Sequence, residues 1–189
     1  MPNADLTVLI LAGGAGRRMG GIDKGLLDWQ GAPLIEHLIN RVHDWPGQRL
    51  ISCNRNRDRY THYADTVSDE LVDFQGPLAG IAAGFAASSS AQLLTLPCDN
   101  PHPPLNCYSR LSSALQHSDA GIAYAHDGQR GQYLYALIDR RYQSSLQDYL
   151  ASGERSVYRW YEGEGAIAVD FSDSAENFSN INSKDDAPQ

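Results

Sequence analysis

The stretch Leu9–Lys24, LILAGGAGRRMGGIDK, runs from an apolar segment straight into a turn holding five glycines, two arginines and a lysine. Its upstream part, Leu6–Leu11 (LTVLIL), is continuously apolar and rich in β-branched residues. That is the pattern of a strand buried on both faces, as in a parallel sheet. Such sheets bind ligands beyond the carboxyl ends of their strands, which is where Gly13–Gly21 falls. Glycine lets backbone N–H groups approach a ligand with no side chain between. Arg17 and Arg18 offer planar forks for phosphate oxygens, and Lys24 a compact charge. The combination suits the polyphosphate of a nucleotide. It is not the Walker pattern, because no G-K-[ST] follows at the proper spacing. It is a poor dinucleotide fingerprint, because Gly14-x-Gly16 lacks the third glycine. Read by itself, the turn is equally a plain strand-to-helix connection.

Outward from this turn, strand and helix patterns alternate. Pro33–Val42 places Leu34, Leu38 and Val42 at helical spacing, with Pro33 suited to a first turn. Short strands are expected at Leu50–Cys53 and Thr66–Ser68. Gly76-Pro77-Leu78-Ala79-Gly80 opens an Ala-rich helix to about Ser88, and Gln92–Leu96 is another apolar strand. A helix is expected over Pro103–His117, then strands at Ala120–Ala125 and Tyr133–Ile138 around a His126–Gly131 turn. Arg141–Ala151 and a stretch after Gly153 read as helical, and Ala166–Phe171 as a late strand. The polar tail from Ser183 is expected to fray. The alternation implies an α/β fold with a mostly parallel sheet covered on both sides. With 189 residues, no internal repeat and no long linker, one domain over 1–189 is expected. The less regular part from about Gly121 could form a second lobe on the same sheet.

A formal net charge of −8 argues against a nucleic-acid partner, which needs a basic face. A local cluster such as Arg17, Arg18 and Lys24 can still hold a small anion. Three cysteines, Cys53, Cys98 and Cys107, without C-x-x-C spacing imply neither a disulfide framework nor a zinc site. A reducing cytoplasm fits that usage. The N-terminus lacks a signal-peptide pattern, and no apolar run is long enough for a membrane span.

The second chemical signal is Leu93-Leu94-Thr95-Leu96-Pro97-Cys98-Asp99-Asn100-Pro101. A carboxylate just past a buried strand stands at the same sheet edge as the glycine turn. Mg²⁺ binds through one or two carboxylates plus substrate phosphates, and Asp99 is the best candidate in the chain. The flanking prolines stiffen its turn. A turn or N-cap role explains an aspartate before Asn-Pro equally well. Asn54 and Asp69 follow the second and third strands, where base and ribose recognition usually takes place, or where polar turn residues simply sit. The histidines show no ligand spacing, and His126 reads as a turn residue. Trp29, Trp45 and Trp160 read as core or interface residues.

The run L-A-G-G-x-x-x-R-M-G-G-x-D-K-G-L, continuing through Leu27 to Gly31-x-Pro33-Leu34, resembles the signature of the molybdenum cofactor guanylyltransferases. L-P-C-D-x-P at Asp99 and G-P-L-A-G at Gly76–Gly80 match the same family. The resemblance covers Leu9 to Asn182 and implies a three-layer αβα Rossmann-like nucleotidyltransferase domain. It implies that Leu11, Ala12, Gly13 and Gly14 line the nucleotide site by backbone. Arg18 and Lys24 would neutralise phosphate charge, and Asp99 would bind Mg²⁺. Asp23 would orient the loop rather than perform chemistry. Asn54, Asp69 and Gly80 would serve the nucleoside. Arg155, Asn180 and Asn182 would serve the pterin substrate, with a solvated arginine and a polar tail as the plain alternatives. Relatives carry a proline near Gly131-Gln132-Tyr133-Leu134 that this sequence lacks, so the acceptor-side loop is expected to differ.

The implied reaction transfers GMP from GTP to the terminal phosphate of a molybdopterin-type cofactor, with release of pyrophosphate. Cofactor-delivery proteins or target molybdoenzymes would receive the product. Two other readings stay open at this stage. One is a related nucleotidyltransferase using CTP or a sugar phosphate. The other is a non-catalytic GTP-binding delivery protein.

Overall fold

Strand β1 (Leu6–Leu11) pairs in parallel with β4 (Gln48–Ser52) on one side and with β6 (Gln92–Pro97) on the other. A computed structural model of the chain describes residues 5–13, 23–68 and 76–181. Within them one seven-stranded sheet has the order β5-β4-β1-β6-β8-β7-β9, with β5 (Asp65–Val67), β7 (Ile122–His126), β8 (Gly131–Asp139) and β9 (Ile167–Asp170). All pairings are parallel except those of β8, which runs antiparallel to both its neighbours. The mostly parallel sheet expected from the strand–helix alternation is therefore present. The irregular part after Gly121 extends the same sheet rather than forming another.

Side chains alternate across the strands, as strand geometry requires. Val8 and Ile10 of β1 face a cluster with Ile35 and Leu38 of α1 (Leu34–Arg41) and Leu111 and Leu115 of α4 (Cys107–Gln116). Leu9 faces the opposite cluster. That cluster holds Ile81 and Phe85 of α3 (Pro77–Ala87), Leu146 and Leu150 of α5 (Gln143–Ala151), and Trp160 of α6 (Val157–Gly163). The three layers thus meet the expectation of a sheet covered on both faces.

Local differences have local causes. The helix expected from Pro103 begins only at Cys107. Pro103 and Pro104 disfavour helical backbone at His102 and Pro103, and Leu105 and Asn106 form a turn in which Cys107 N–H donates to Pro104 O at 2.9 Å. A small hairpin, β2 (Asp28–Trp29) with β3 (Ala32–Pro33), turns through Gln30 and Gly31, both at positive φ. Its Trp29 is buried. A single helical turn, α2 (Arg57–Tyr60), and a 3₁₀ segment, Ser172–Phe178, carry too few residues for a periodic signal.

The chain leaves β1 for β4 and β5 on one side, then returns to β6 on the other. The carboxyl ends of β1 and β6 therefore flank the point where the strand order reverses. In open α/β sheets that crevice is where ligands bind. Leu11 and Pro97 are its registered pair, and the ladder continues with Cys98 N–H donating to Leu11 O at 3.1 Å.

Candidate active site

A cavity of about 300 Å³ opens at this crevice. One wall is formed by Leu11, Ala12 and Gly13, leaving β1. Ser52, ending β4, adds a second wall, and its carbonyl accepts from Ala12 N–H at 2.8 Å. Gly76, Pro77 and Gly80 of the α3 start form a third. Pro97, Cys98 and Asp99 extend β6 into it, and Leu134 of β8 closes the far side. A parallel sheet of buried strands delivers all these groups to one edge because each strand ends there.

Lys24 and Asp99 meet in this cavity. Lys24 Nζ lies 3.1 Å from Asp99 Oδ2. Both are partly shielded, with side chains 34 % and 17 % exposed. A pair so placed is neither a solvated surface bridge nor fully desolvated, so its charges stay available to a ligand. Asp99 is itself braced from the C-terminal segment. Ile181 N–H donates to Asp99 O at 2.8 Å, and buried Asn100 donates through Nδ2 to Asn177 O at 2.7 Å. Asn177 returns a bond to His102 O at 3.0 Å.

Gly80 shows why the G-P-L-A-G stretch reads as it does. A Cβ there would stand 2.7 Å from Ser52 Oγ and 3.0 Å from Leu11 Cδ2. The helix packs so closely on the β1 and β4 ends that a side chain there would displace those of Ser52 and Leu11. Cys98 is buried beside Asp99, and burial followed by that carboxylate pushes its thiol far above the ordinary range.

Of the sequence-derived candidates, Leu11, Ala12, Gly13, Lys24, Gly80 and Asp99 line this one cavity. Three others stand elsewhere. Asn54 is half-buried two residues beyond β4 and is not among the lining residues. Arg155 lies between α5 and α6, where Nη1 donates to Leu150 O at 2.8 Å and to Glu154 O at 2.6 Å. Asn180 lines a separate polar cavity of about 250 Å³ with Asp127, Arg130 and Gln132. Gly14, Arg18, Asp69 and Asn182 lie outside the described residues. Sequence reasoning missed Ser52 and Leu134 as lining residues. Neither carries a motif, and only the sheet order brings them to the crevice.

No helix among the described residues is long and apolar enough to cross a membrane. No cluster of three or more metal-ligating side chains occurs among them. A single carboxylate beside a phosphate-sized cavity still fits Mg²⁺, which takes most of its ligands from water and substrate.

Comparison with known proteins agrees with this geometry. The family model of the MobA-like NTP transferase domain matches residues 8–166. A molybdenum cofactor guanylyltransferase of Mannheimia succiniciproducens is 44 % identical over 94 % of each chain. Another, of Haemophilus influenzae, is 41 % identical over 96 % of this chain and 95 % of its own. Among solved structures, molybdopterin-guanine dinucleotide biosynthesis protein A of Archaeoglobus fulgidus superposes with a TM-score of 0.77 at 20 % identity, covering 95 % of this chain and 93 % of that one. A nucleotidyl transferase of Methanothermobacter thermautotroptrophicus gives 0.67 at 18 % identity, over 95 % and 92 %. The fold is that of the α/β nucleotidyltransferases. The chain belongs to the MobA-like NTP transferase family and, within it, to the molybdenum cofactor guanylyltransferases.

Proposed function

We propose that this chain transfers GMP from GTP to the terminal phosphate of a molybdopterin-type molybdenum cofactor. An oxygen of that phosphate attacks the α-phosphorus of GTP, the bond to the bridging oxygen breaks, and pyrophosphate leaves with its electron pair. The observation that supports the reading most is the Lys24–Asp99 pair, 3.1 Å apart beside the backbone of Leu11–Gly13 in a switch-point crevice. The names borne by the relatives supply the guanylyl group and the acceptor.

The physical demand is charge control, because the phosphates of GTP must approach a further phosphate anion. Lys24 places an ammonium where it can meet phosphate oxygens. The same ammonium donates to Asp99. The glycine turn would offer backbone N–H groups to the same oxygens. Asp99 would hold Mg²⁺, which when bound neutralises phosphate charge and steadies the leaving pyrophosphate. Arg18 would add to that neutralisation. The attacking oxygen is already anionic, so no strong general base is needed. Asn54, Asp69 and the close approach at Gly80 would serve guanosine. Arg155, Asn180 and Asn182 would serve the acceptor, whose site would then extend beyond the nucleotide cavity. The reading is completed by a single domain over 1–189, a cytoplasmic setting and hand-over to delivery proteins or target molybdoenzymes.

The test is a thermal shift series with GTP, CTP, ATP and UTP in the presence of Mg²⁺, followed by pyrophosphate release with acceptor. Preferential binding to the folded state raises the Tm. GTP should raise it most, and pyrophosphate should form only when acceptor is present. A larger shift with CTP would reassign the base. Binding without pyrophosphate release would make the chain a delivery protein.

A further inference from the structure

The side chain next to Lys24 in sequence, Asp23, is gripped through both carboxylate oxygens by one short element. Tyr60 Oη–H donates to Asp23 Oδ1 at 2.5 Å, and Asn56 Nδ2 donates to Asp23 Oδ2 at 2.9 Å. Both donors belong to α2 and its N-cap, 33 and 37 residues away in sequence. Hydrogen bonds to an ionised acceptor are the strong, short kind.

Three further observations show that this grip is built in. Tyr60 is fully buried, and burial keeps its phenol protonated far above the ordinary range, so its hydroxyl remains a donor. Asn56 sits at φ 52°, ψ 31°, a left-handed conformation that asparagine tolerates and most residues do not. Its carbonyl accepts from the N–H groups of Arg59 and Tyr60, at 2.9 and 3.2 Å, which ties the amide and the phenol into one turn. Lastly, Gly25 lets the phenol come close. A Cβ there would stand 2.5 Å from Tyr60 Oη and 3.3 Å from Cys98 Sγ. The residue after Lys24 thus packs against both the phenol and the side chain of the residue before Asp99.

From this juxtaposition we infer that Tyr60, with Asn56, is a positioning residue for the nucleotide site. It holds Asp23, and through it the 3₁₀ turn Lys24–Leu26, so that the Lys24 ammonium stands at hydrogen-bonding distance from Asp99. Tyr60 acts through Asp23 on the turn that carries Lys24. Within the turn, Leu26 N–H donates to Asp23 O at 3.1 Å and Leu27 N–H to Lys24 O at 3.0 Å, which shapes it locally. The inference deepens the proposed guanylyl transfer and rests on it for its kinetic consequence.

The test compares Tyr60→Phe and Asn56→Gly with the unaltered chain. Phenylalanine keeps the buried ring and deletes only the hydroxyl. Glycine adopts the same left-handed backbone and deletes only the amide. The expected result for Tyr60→Phe is a fall in kcat of roughly ten-fold, as misplacement of a charge by a fraction of an ångström produces. KM for GTP should stay within about three-fold, since the Lys24 ammonium and its charge are retained. Asn56→Gly should show the same split, more weakly. A purely structural role would lower the Tm and leave the kcat of folded protein unchanged, and that result overturns the inference. A crystal structure of Tyr60→Phe gives a second readout independent of turnover. Lengthening of the Lys24–Asp99 contact supports the bracket, and an unchanged contact overturns it. Should the unaltered chain release no pyrophosphate, guanylyl transfer fails as a reading, while this distance still decides the role of Tyr60.

Discussion

Lys24 and Asp99 are 75 residues apart in the chain, yet their side chains meet at 3.1 Å at the ends of two adjacent parallel strands. Each arrives by a different route. Lys24 follows the glycine turn after β1, and Asp99 ends the Pro97-Cys98-Asp99 exit from β6. The pair sets the polarity of the cavity, which Leu11, Ala12 and Gly13 at the end of β1 and Gly76, Pro77 and Gly80 at the start of α3 also line.

Asp99→Ala is expected to lower turnover by at least about a hundred-fold, the scale of losing one preorganised charge-stabilising group. The protein should stay folded, because Asp99 is anchored to Ile181 through its backbone carbonyl, which the substitution retains. Pyrophosphate release and the far-UV spectrum check the two parts. Normal turnover would remove Asp99 from the site.

Lys24→Ala removes an ammonium from a partly shielded cavity. A charge-assisted hydrogen bond is worth about 1.5–3 kcal/mol. GTP affinity should therefore fall roughly ten- to a hundred-fold. Titration calorimetry measures it directly, and an unchanged Kd would place the phosphates elsewhere.

Gly80→Ala forces a methyl group against Ser52 Oγ and Leu11 Cδ2, both belonging to cavity-lining residues. Overpacking costs about 1–3 kcal/mol, while alanine in place of a helical glycine returns about 1 kcal/mol. The Tm should shift little, and KM for GTP should rise several-fold as the cavity walls move. Unaltered kinetics would show that nucleotide does not use this wall.

Arg140 serves the fold away from the cavity. Its guanidinium donates to Ser90 O at 2.6 Å, Phe85 O at 3.0 Å and Ser88 O at 2.5 Å, and to Gln143 Oε1 at 2.9 Å. It thereby satisfies carbonyls at the end of α3 that have no helical partner. Arg140→Met should destabilise the protein by about 2–4 kcal/mol. KM for GTP of the folded enzyme should be preserved. Denaturant unfolding with parallel kinetics separates the two effects.

Burial raises the thiol of Cys53 from its ordinary 9.0 to about 11, and that of Cys107 to about 12. An unfolded chain thus gives up these protons at lower pH than the folded one. Stability contributed by keeping the thiols neutral is complete below pH 9 and is lost as pH rises from there towards 11–12. The Tm should fall across that window, and less steeply in Cys107→Ala. Below pH 9 the native thiols should resist alkylation. Rapid labelling of the native protein at pH 8 would contradict the burial.

The sequence was informative wherever a signal is local. The apolar runs of β1 and β6 and the Ala-rich α3 were legible within a residue or two, because strand and helix periodicities involve near neighbours. Lys24 and Asp99 stood out because a strand end announces itself by the break in its apolar run. The β2–β3 hairpin and α2 escaped, since neither carries an apolar run to announce it. Asn180 was grouped with Arg155 by motif, yet the fold sets Asn180 in a cavity of its own and Arg155 against the end of α5.

By itself the chain of residues determined the α/β class, the glycine-lined strand end and the chemistry offered there, because these depend on side-chain type and spacing over a few positions. Only the tertiary structure decided that β1 and β6 lie side by side, that the phenol of Tyr60 reaches Asp23, and that Ile181 ties the C-terminal segment to Asp99. Those contacts join residues dozens of positions apart. They are set by strand order and packing, which come from the summed burial of the whole sheet and leave no mark in any short stretch.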